Sequence, residues 1–173
     1  MKILKRILIG IVGIIALILI VAAFAPKEFT GKSEILINKS QQEVYDYIKF
    51  LKNQDQYGTW NKMDPEMKKS YEGTDGTVGF VYAWDSEKFM VGKGKQVITE
   101  LNGTDMKSDL FFADSNEAAK SVLSTEKKEE NQTLVKWSVS GTSPYPWNIM
   151  NLFFNMDSQF EEGLKNLKTE LEK

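Results

Sequence analysis

The chain has 173 residues, with 22 Lys and Arg against 24 Asp and Glu, and it contains neither cysteine nor histidine. Those two absences exclude disulfides, thiol nucleophiles, imidazole bases and Cys/His zinc sites, leaving only carboxylate, Tyr, Lys and Ser/Thr chemistry. Charge divides at Pro26: only Lys2, Lys5 and Arg6 precede it, and the remainder carries a formal −5, the wrong sign for a nucleic-acid partner.

From Ile7 to Ala25 run nineteen uncharged residues, thirteen of them Ile, Leu, Val or Phe. A helix of that length spans roughly 28 Å, close to the hydrocarbon thickness of a bilayer. A cleaved signal peptide ending at Ala23-Phe24-Ala25 is the competing reading, but the apolar run is long and Pro26 would sit just past the cut. The expectation is a retained single-pass anchor over residues 1–26. Lys2, Lys5 and Arg6 place its N-terminus in the cytoplasm and residues 27–173 on the outer side of the cell membrane. Gly10 and Gly13 stand three apart, which is not the GxxxG spacing of a tight helix pair.

In the soluble part, Phe29, Gly31, Ser33, Ile35 and Ile37 alternate with more polar positions, as in a strand. Ser40-Gln41-Gln42-Glu43 reads as a capping box, followed by a helix burying Val44, Tyr47, Ile48 and Leu51. A second short helix is expected over Asp55–Trp60. Six strand candidates follow: Lys68–Glu72, Phe80–Asp85, Gly92–Leu101, Met106–Ala113, Ala119–Lys127 and Leu134–Ser140. The turn signals between them include Gly73-Thr74-Asp75-Gly76, Asn102-Gly103, Asp114-Ser115-Asn116 and Glu130-Asn131. Lys68-Lys69 and Lys127-Lys128 are expected to be solvated. Finally, Ile149, Leu152, Phe153, Met156, Phe160, Leu164, Leu167 and Leu171 recur at helical spacing, predicting one helix from about Pro146 to Leu171.

The fold class that satisfies this order is α+β, a curved antiparallel sheet of about seven strands wrapped around the long C-terminal helix. Space left between a curved sheet and a straight helix is the default ligand site. Alternation assigns Tyr82, Trp84, Gln96, Ile98, Ser108, Leu110, Phe112, Ser121, Leu123, Thr125, Val135, Trp137 and Val139 to the inner face, opposite Phe153, Met156 and Phe160. The same side chains would also serve as plain core.

The sequence resembles the START-like, helix-grip superfamily often called SRPBCC, in particular its polyketide cyclase/dehydrase-like members with an N-terminal anchor. The residues that carry this likeness start with Ile35-Leu36-Ile37-Asn38 and Glu43-Val44-Tyr45-Asp46-Tyr47-Ile48. They continue through Trp60, Met63-Asp64-Pro65, Val78-Gly79-Phe80-Val81-Tyr82-Ala83-Trp84, Gly92-Lys93-Gly94 and Ile98-Thr99-Glu100. Thr133-Leu134-Val135-Lys136-Trp137 and Phe160-Glu161-Glu162-Gly163-Leu164-Lys165-Asn166-Leu167 complete them. The resemblance covers residues 27–173 and implies the fold, but it spans enzymes, carriers and receptors.

The expected function is a membrane-tethered module that holds a hydrophobic or lipid-like small molecule; the alternatives are a cyclase/dehydrase-like enzyme and an interaction domain with a filled core. Tyr82 and Glu100 are the candidate proton donors, yet no acid–base pair stands at fixed spacing, so no catalytic residue is assigned. No cofactor or metal is expected, since Asp64, Glu66, Asp85 and Glu87 lack EF-hand spacing. Gly92-Lys93-Gly94 opens a strand and lacks the helix N-terminus of a phosphate loop. The run Pro144-Tyr145-Pro146-Trp147 is expected to touch lipid headgroups, to gate the cavity mouth, or to pack Tyr145 and Trp147 on the sheet as Pro146 starts the helix.

Overall fold

The computed structural model describes residues 2–113, 117–153 and 156–173. Helix α1 (Lys2–Phe24) is unbroken. Its stretch Ile3–Phe24, of mean hydropathy 3.3, is long and apolar enough to cross a membrane, a property that signal sequences share. Contacts divide the chain into two units: Phe29 and everything before it group with the segment starting at Thr142, and Thr30–Gly141 groups with Met156–Lys173.

In the first unit a 3-10 helix covers Trp147–Leu152. Asn148 is fully buried and donates its amide hydrogens to the carbonyl oxygens of Ala22 and Ala25, at 2.7 and 2.9 Å. Asn151 donates likewise to Pro26 and Lys27, at 3.0 and 3.3 Å. These bonds supply donors to the Ala22 carbonyl at the end of α1 and to the carbonyls of Ala25, Pro26 and Lys27 just beyond it.

The second unit is built on β1 (Glu28–Ile37), α2 (Gln41–Ile48), a 3-10 turn at Leu51–Asn53, α3 (Gln54–Tyr57) and α4 (Thr59–Met63). Strands β2 (Lys68–Glu72), β3 (Val81–Asp85), β4 (Lys93–Leu101), β5 (Asp105–Phe112), β6 (Ala119–Glu129) and β7 (Gln132–Thr142) follow, and α5 (Met156–Leu171) ends the chain. The capping box forms as expected: Ser40 Oγ accepts from the Glu43 amide and the Glu43 carboxylate accepts from the Ser40 amide. Helix α2 buries Val44, Tyr45 and Ile48, with Tyr47 only half-buried. The single helix expected over Asp55–Trp60 is instead two, because Gly58 adopts an extended ψ of 126° and separates α3 from α4.

The strands form one open antiparallel sheet in the order β1-β7-β6-β5-β4-β3-β2. Register shifts between Ile98 and Glu100 and between Lys127 and Glu129 interrupt the ladders. Such bulges bend and twist the strand that carries them. The Asp114-Ser115-Asn116 turn lies outside the described residues.

The sheet's inner face packs on α5 through Phe160, Gly163, Leu164 and Leu167. Phe160 makes edge contacts with Trp137 and Trp60, at centroid distances of 5.0 and 5.5 Å. Two glycines allow that approach. A Cβ on Gly163 would lie 2.9 Å from the Trp137 ring, and one on Gly31 would lie 2.6 Å from the Phe160 ring.

The C-terminal helix expected from Pro146 begins ten residues later, at Met156. Its apolar period does continue back through Phe153, Leu152 and Ile149. However, the side chains of Asn148 and Asn151 find backbone partners near the end of α1, and that tertiary bonding overrides the local pattern. Phe153 accordingly lies ahead of α5 and is 77% exposed.

Candidate functional site

Strand alternation brings most of the expected inner-face residues together. Tyr82, Gln96, Ile98, Ser108, Ser121, Leu123, Trp137 and Phe160 are all buried on the α5 side of the sheet. Trp84, Leu110 and Met156 are half-buried, whereas Phe112 is 43% exposed. Phe153 belongs to the first unit. The inner face is therefore closed through its middle and opens toward one end, where the rings of Trp84 and Phe112 meet edge-on at 6.4 Å. Ser108 and Ser121, at 1% and 2% exposure, are enclosed by protein atoms.

Polar groups cross that face from strand to strand. Tyr82 pairs in register with Gln96, and Ser108 with Ser121. Gln96 Nε2 donates to Ser108 Oγ at 2.8 Å, and Trp137 Nε1 donates to Ser121 Oγ at 3.3 Å. In a low-dielectric interior each of these groups needs a partner, and they supply one another.

At the β2–β3 end the track meets residues that sequence reasoning did not select. The Tyr82 hydroxyl donates to Asp55 Oδ1 at 2.6 Å. Asn61 Nδ2 bridges the same carboxylate oxygen, at 2.8 Å, and the Tyr82 oxygen, at 3.0 Å. Lys69 Nζ stands 3.0 Å from Asp55 Oδ1, with only 18% of its side chain exposed, so it is not the solvated strand-end lysine expected. Three elements converge here: α3 brings Asp55, α4 brings Asn61 after the Gly58 break, and β2 turns Lys69 inward beside Tyr71. Tyr71 packs edge-on against Tyr82 at 5.4 Å. Carrying the period-two alternation of the sheet into β2 would have found Lys69. No local pattern marks Asp55 or Asn61, because the helix break disrupts any periodicity between them.

Burial pushes the Tyr82 phenol well above its ordinary pKa, and the hydrogen bond and charge of Asp55 push it in the same direction. Ionising it would set a phenolate against a carboxylate. Tyr82 thus stays a neutral donor, and Asp55 Oδ1 holds three donors at once. Such a cluster orients groups and presents a cation and a carboxylate at the edge of the open end.

Other sequence candidates lie elsewhere. Glu100 pairs with Lys107 at 2.9 Å and is half exposed. Gly94 takes the close approach of the Trp84 ring, 2.5 Å from where a Cβ would stand, which accounts for a glycine in Gly92-Lys93-Gly94 without any phosphate. Among the described residues no cluster of Asp, Glu, His and Cys could hold a metal ion. A shallow depression of about 640 Å³ at the β2–β3 end of the sheet is bordered by residues that include Lys68, Lys69, Ser70, Trp84, Lys95 and Phe111. Its rim is charged, and an ion pair between Lys93 and Asp85 at 2.9 Å crosses it.

Solved structures share this architecture. Norcoclaurine synthase from Thalictrum flavum superposes with a TM-score of 0.63 at 10% identity, covering 83% of this chain and 94% of that one. The shared fold is a helix grip. Two bacterial helix-grip proteins agree: an uncharacterized protein from Bacillus thuringiensis (TM-score 0.57, 16% identity, 84% of this chain and all of that one) and XoxI from Bacillus cereus (TM-score 0.59, 17% identity, 83% and 96%). A norcoclaurine synthase structure contains dopamine and hydroxybenzaldehyde. No family model and no curated protein matches the sequence.

Proposed function

We propose that the helix-grip domain is a binding module for a hydrophobic or amphipathic small molecule, held at a membrane by α1 as a retained anchor. The observation that carries this reading is the change along the inner face. Its middle is sealed, but Trp84, Leu110 and Phe112 remain partly accessible along the strand rows that lead to the Asp55–Lys69–Tyr82 cluster. An apolar aromatic opening with a few convergent polar groups is the usual composition of a small-molecule site. In norcoclaurine synthase the same fold accommodates small aromatic molecules, which supports the size class. Lys2, Lys5 and Arg6 favour a cytoplasmic N-terminus and an outward-facing domain.

The test is native mass spectrometry of the full-length protein released from detergent. The wild type should carry a copurifying small molecule or take up added amphipathic phenols, and Leu110→Trp, which fills the opening, should lose the adduct without losing cooperative unfolding. Binding that survives Leu110→Trp unchanged would move the site elsewhere.

A second reading, a cyclase/dehydrase-type enzyme, draws on the cluster itself, since Lys69 and Tyr82 are both proton-bearing groups aimed at one carboxylate. It requires turnover that falls in Tyr82→Phe while ligand uptake persists.

A further inference from the structure

The segment after β7 is anchored on one side and bare on the other. Its polar side chains turn toward α1: Asn148 reaches the carbonyls of Ala22 and Ala25, Asn151 those of Pro26 and Lys27, and the Tyr145 hydroxyl that of Leu19 at 3.3 Å. The Ser143 amide donates to the Lys27 carbonyl at 2.8 Å, and its hydroxyl donates to Asn151 Oδ1 at 3.0 Å. Three of its large apolar side chains are left in the open, while Ile149 and Met150 are half-buried. Trp147 is 64% exposed, Leu152 49% and Phe153 77%, and Phe24 at the end of α1 is 87% exposed.

A water-facing loop has no need for that arrangement, because water would satisfy the carbonyls and penalise the rings. In a bilayer both requirements reverse. Backbone carbonyls at the end of a spanning helix need protein donors where water is scarce, and exposed Trp, Tyr and Phe are favoured at the headgroup level. Leu19 precedes Phe24 by five residues, about 7–8 Å along a helix axis. The Tyr145 contact therefore runs the segment beside the last turn and a half of α1. That depth matches the roughly 5–10 Å to which interfacial elements sink their apolar faces.

We propose that residues 142–153 form an interfacial collar that seats in the lipid bilayer around the exit of α1, with Trp147, Leu152 and Phe153 in the headgroup–acyl boundary and Asn148 and Asn151 closing the helix end. The collar rests on the reading of α1 as a retained anchor. It ties the strand that precedes it to the membrane at a second point, so the helix-grip domain is fastened both before β1 and after β7.

Full-length protein in phosphatidylcholine–phosphatidylglycerol vesicles, with lipids brominated near the headgroup, provides the test. Protein should float with the vesicles, and bromolipid should quench part of the tryptophan emission. Trp147→Phe should remove that quenchable part, leaving Trp60, Trp84 and Trp137 unquenched. Asn148→Ala should float equally well yet lose much of the quenching, because the segment loses its hold on α1. Flotation with identical quenching in wild type and Trp147→Phe would overturn the collar while leaving the anchor intact. Blue-shifted but unquenched Trp147 emission would also overturn it, by placing a second protein copy there. Failure to float would remove the anchor and the collar together.

Discussion

Gly31→Ala is the sharpest probe of how the sheet holds α5. The added Cβ would lie 2.6 and 2.9 Å from two Phe160 ring carbons and 2.7 Å from Met156 Cβ. Ordinary carbon–carbon contact is about 3.5–4.0 Å, so the ring must retreat by roughly 1 Å. It has little room to do so, since Phe160 is 1% exposed and wedged between Trp60 and Trp137. Overpacking of this kind costs about 1–3 kcal/mol. Gly31 is not among the positive-φ glycines, so alanine also restricts the unfolded chain and returns about 0.4–1 kcal/mol. The net expectation is a loss of about 1–2 kcal/mol by denaturant titration of the full-length protein in detergent. Phe160→Ala alone should cost about 3–5 kcal/mol, since a cavity remains between the two Trp rings. The decisive variant combines Gly31→Ala with Phe160→Leu, whose smaller side chain relieves the contact with the ring, though not the one with Met156 Cβ. The double variant should be less destabilised than the sum of the single effects predicts, by the part of the Gly31→Ala cost that the Phe160 ring imposes. Additive losses would show that Gly31 does not receive the Phe160 ring. Lys165→Ala is the surface control, because that side chain is 63% exposed and pairs along the helix with Glu161. Lys168 would serve less well, because it also donates to the Leu36 carbonyl and pairs with Glu172.

Ser108→Phe should lower the melting temperature, corresponding to about 1–3 kcal/mol, because Ser108 is enclosed and accepts from Gln96; an unchanged melting curve would reveal space that the wild type does not display. Asp55→Asn should lower the Tyr82 pKa toward the ordinary phenol value, read by ultraviolet titration against Tyr82→Phe. The folded pKa of Tyr82 lies above its unfolded value, so its contribution is complete below about pH 10 and is lost as pH rises beyond it. Wild-type stability should therefore fall on the alkaline side, and less so in Tyr82→Phe. Glu126, held to about 2 by hydrogen bonds from Lys128 and then Lys136, should titrate by carboxyl NMR well below its ordinary value of 4.5 and move upward in Lys136→Ala. Its contribution is present above that ordinary value and is lost as pH falls toward 2.

Regular alternation made the sheet legible. From β2 to β7 each strand repeats every second residue, and the turns between carry Gly, Asn or Asp, so strand positions fall within two residues of those expected. The N-terminal helix was equally plain, because one long apolar run admits no other secondary structure. The C-terminal helix was misread at its start for a reason internal to periodicity. Ile149, Leu152 and Phe153 fit the helical spacing of Phe160 and Leu164, but nothing in that spacing reveals that Asn148 and Asn151 will bond to backbone carbonyls more than 120 positions earlier. Partners that distant are set by topology.

The same limit hid the polar half of the candidate site, and it bears on what that site can do. Asp55, Asn61, Lys69 and Tyr82 come from four elements, and each looks unremarkable in its own segment. Folding gives Asp55 Oδ1 three donors, which lowers its reach as a general base, while burial and then Asp55 keep Tyr82 protonated, which lowers its reach as a general acid. Proton transfer would first require a ligand to take over one of those bonds. A bound hydroxyl or carbonyl competing for Asn61 or Lys69 would do so, freeing either the carboxylate or the ammonium. Binding without exchange of these partners makes the domain a carrier or sensor, and binding with exchange opens a route to chemistry. The chemical shift of the Lys69 ammonium on ligand addition distinguishes the two: it stays with the ion pair in the first case and leaves it in the second.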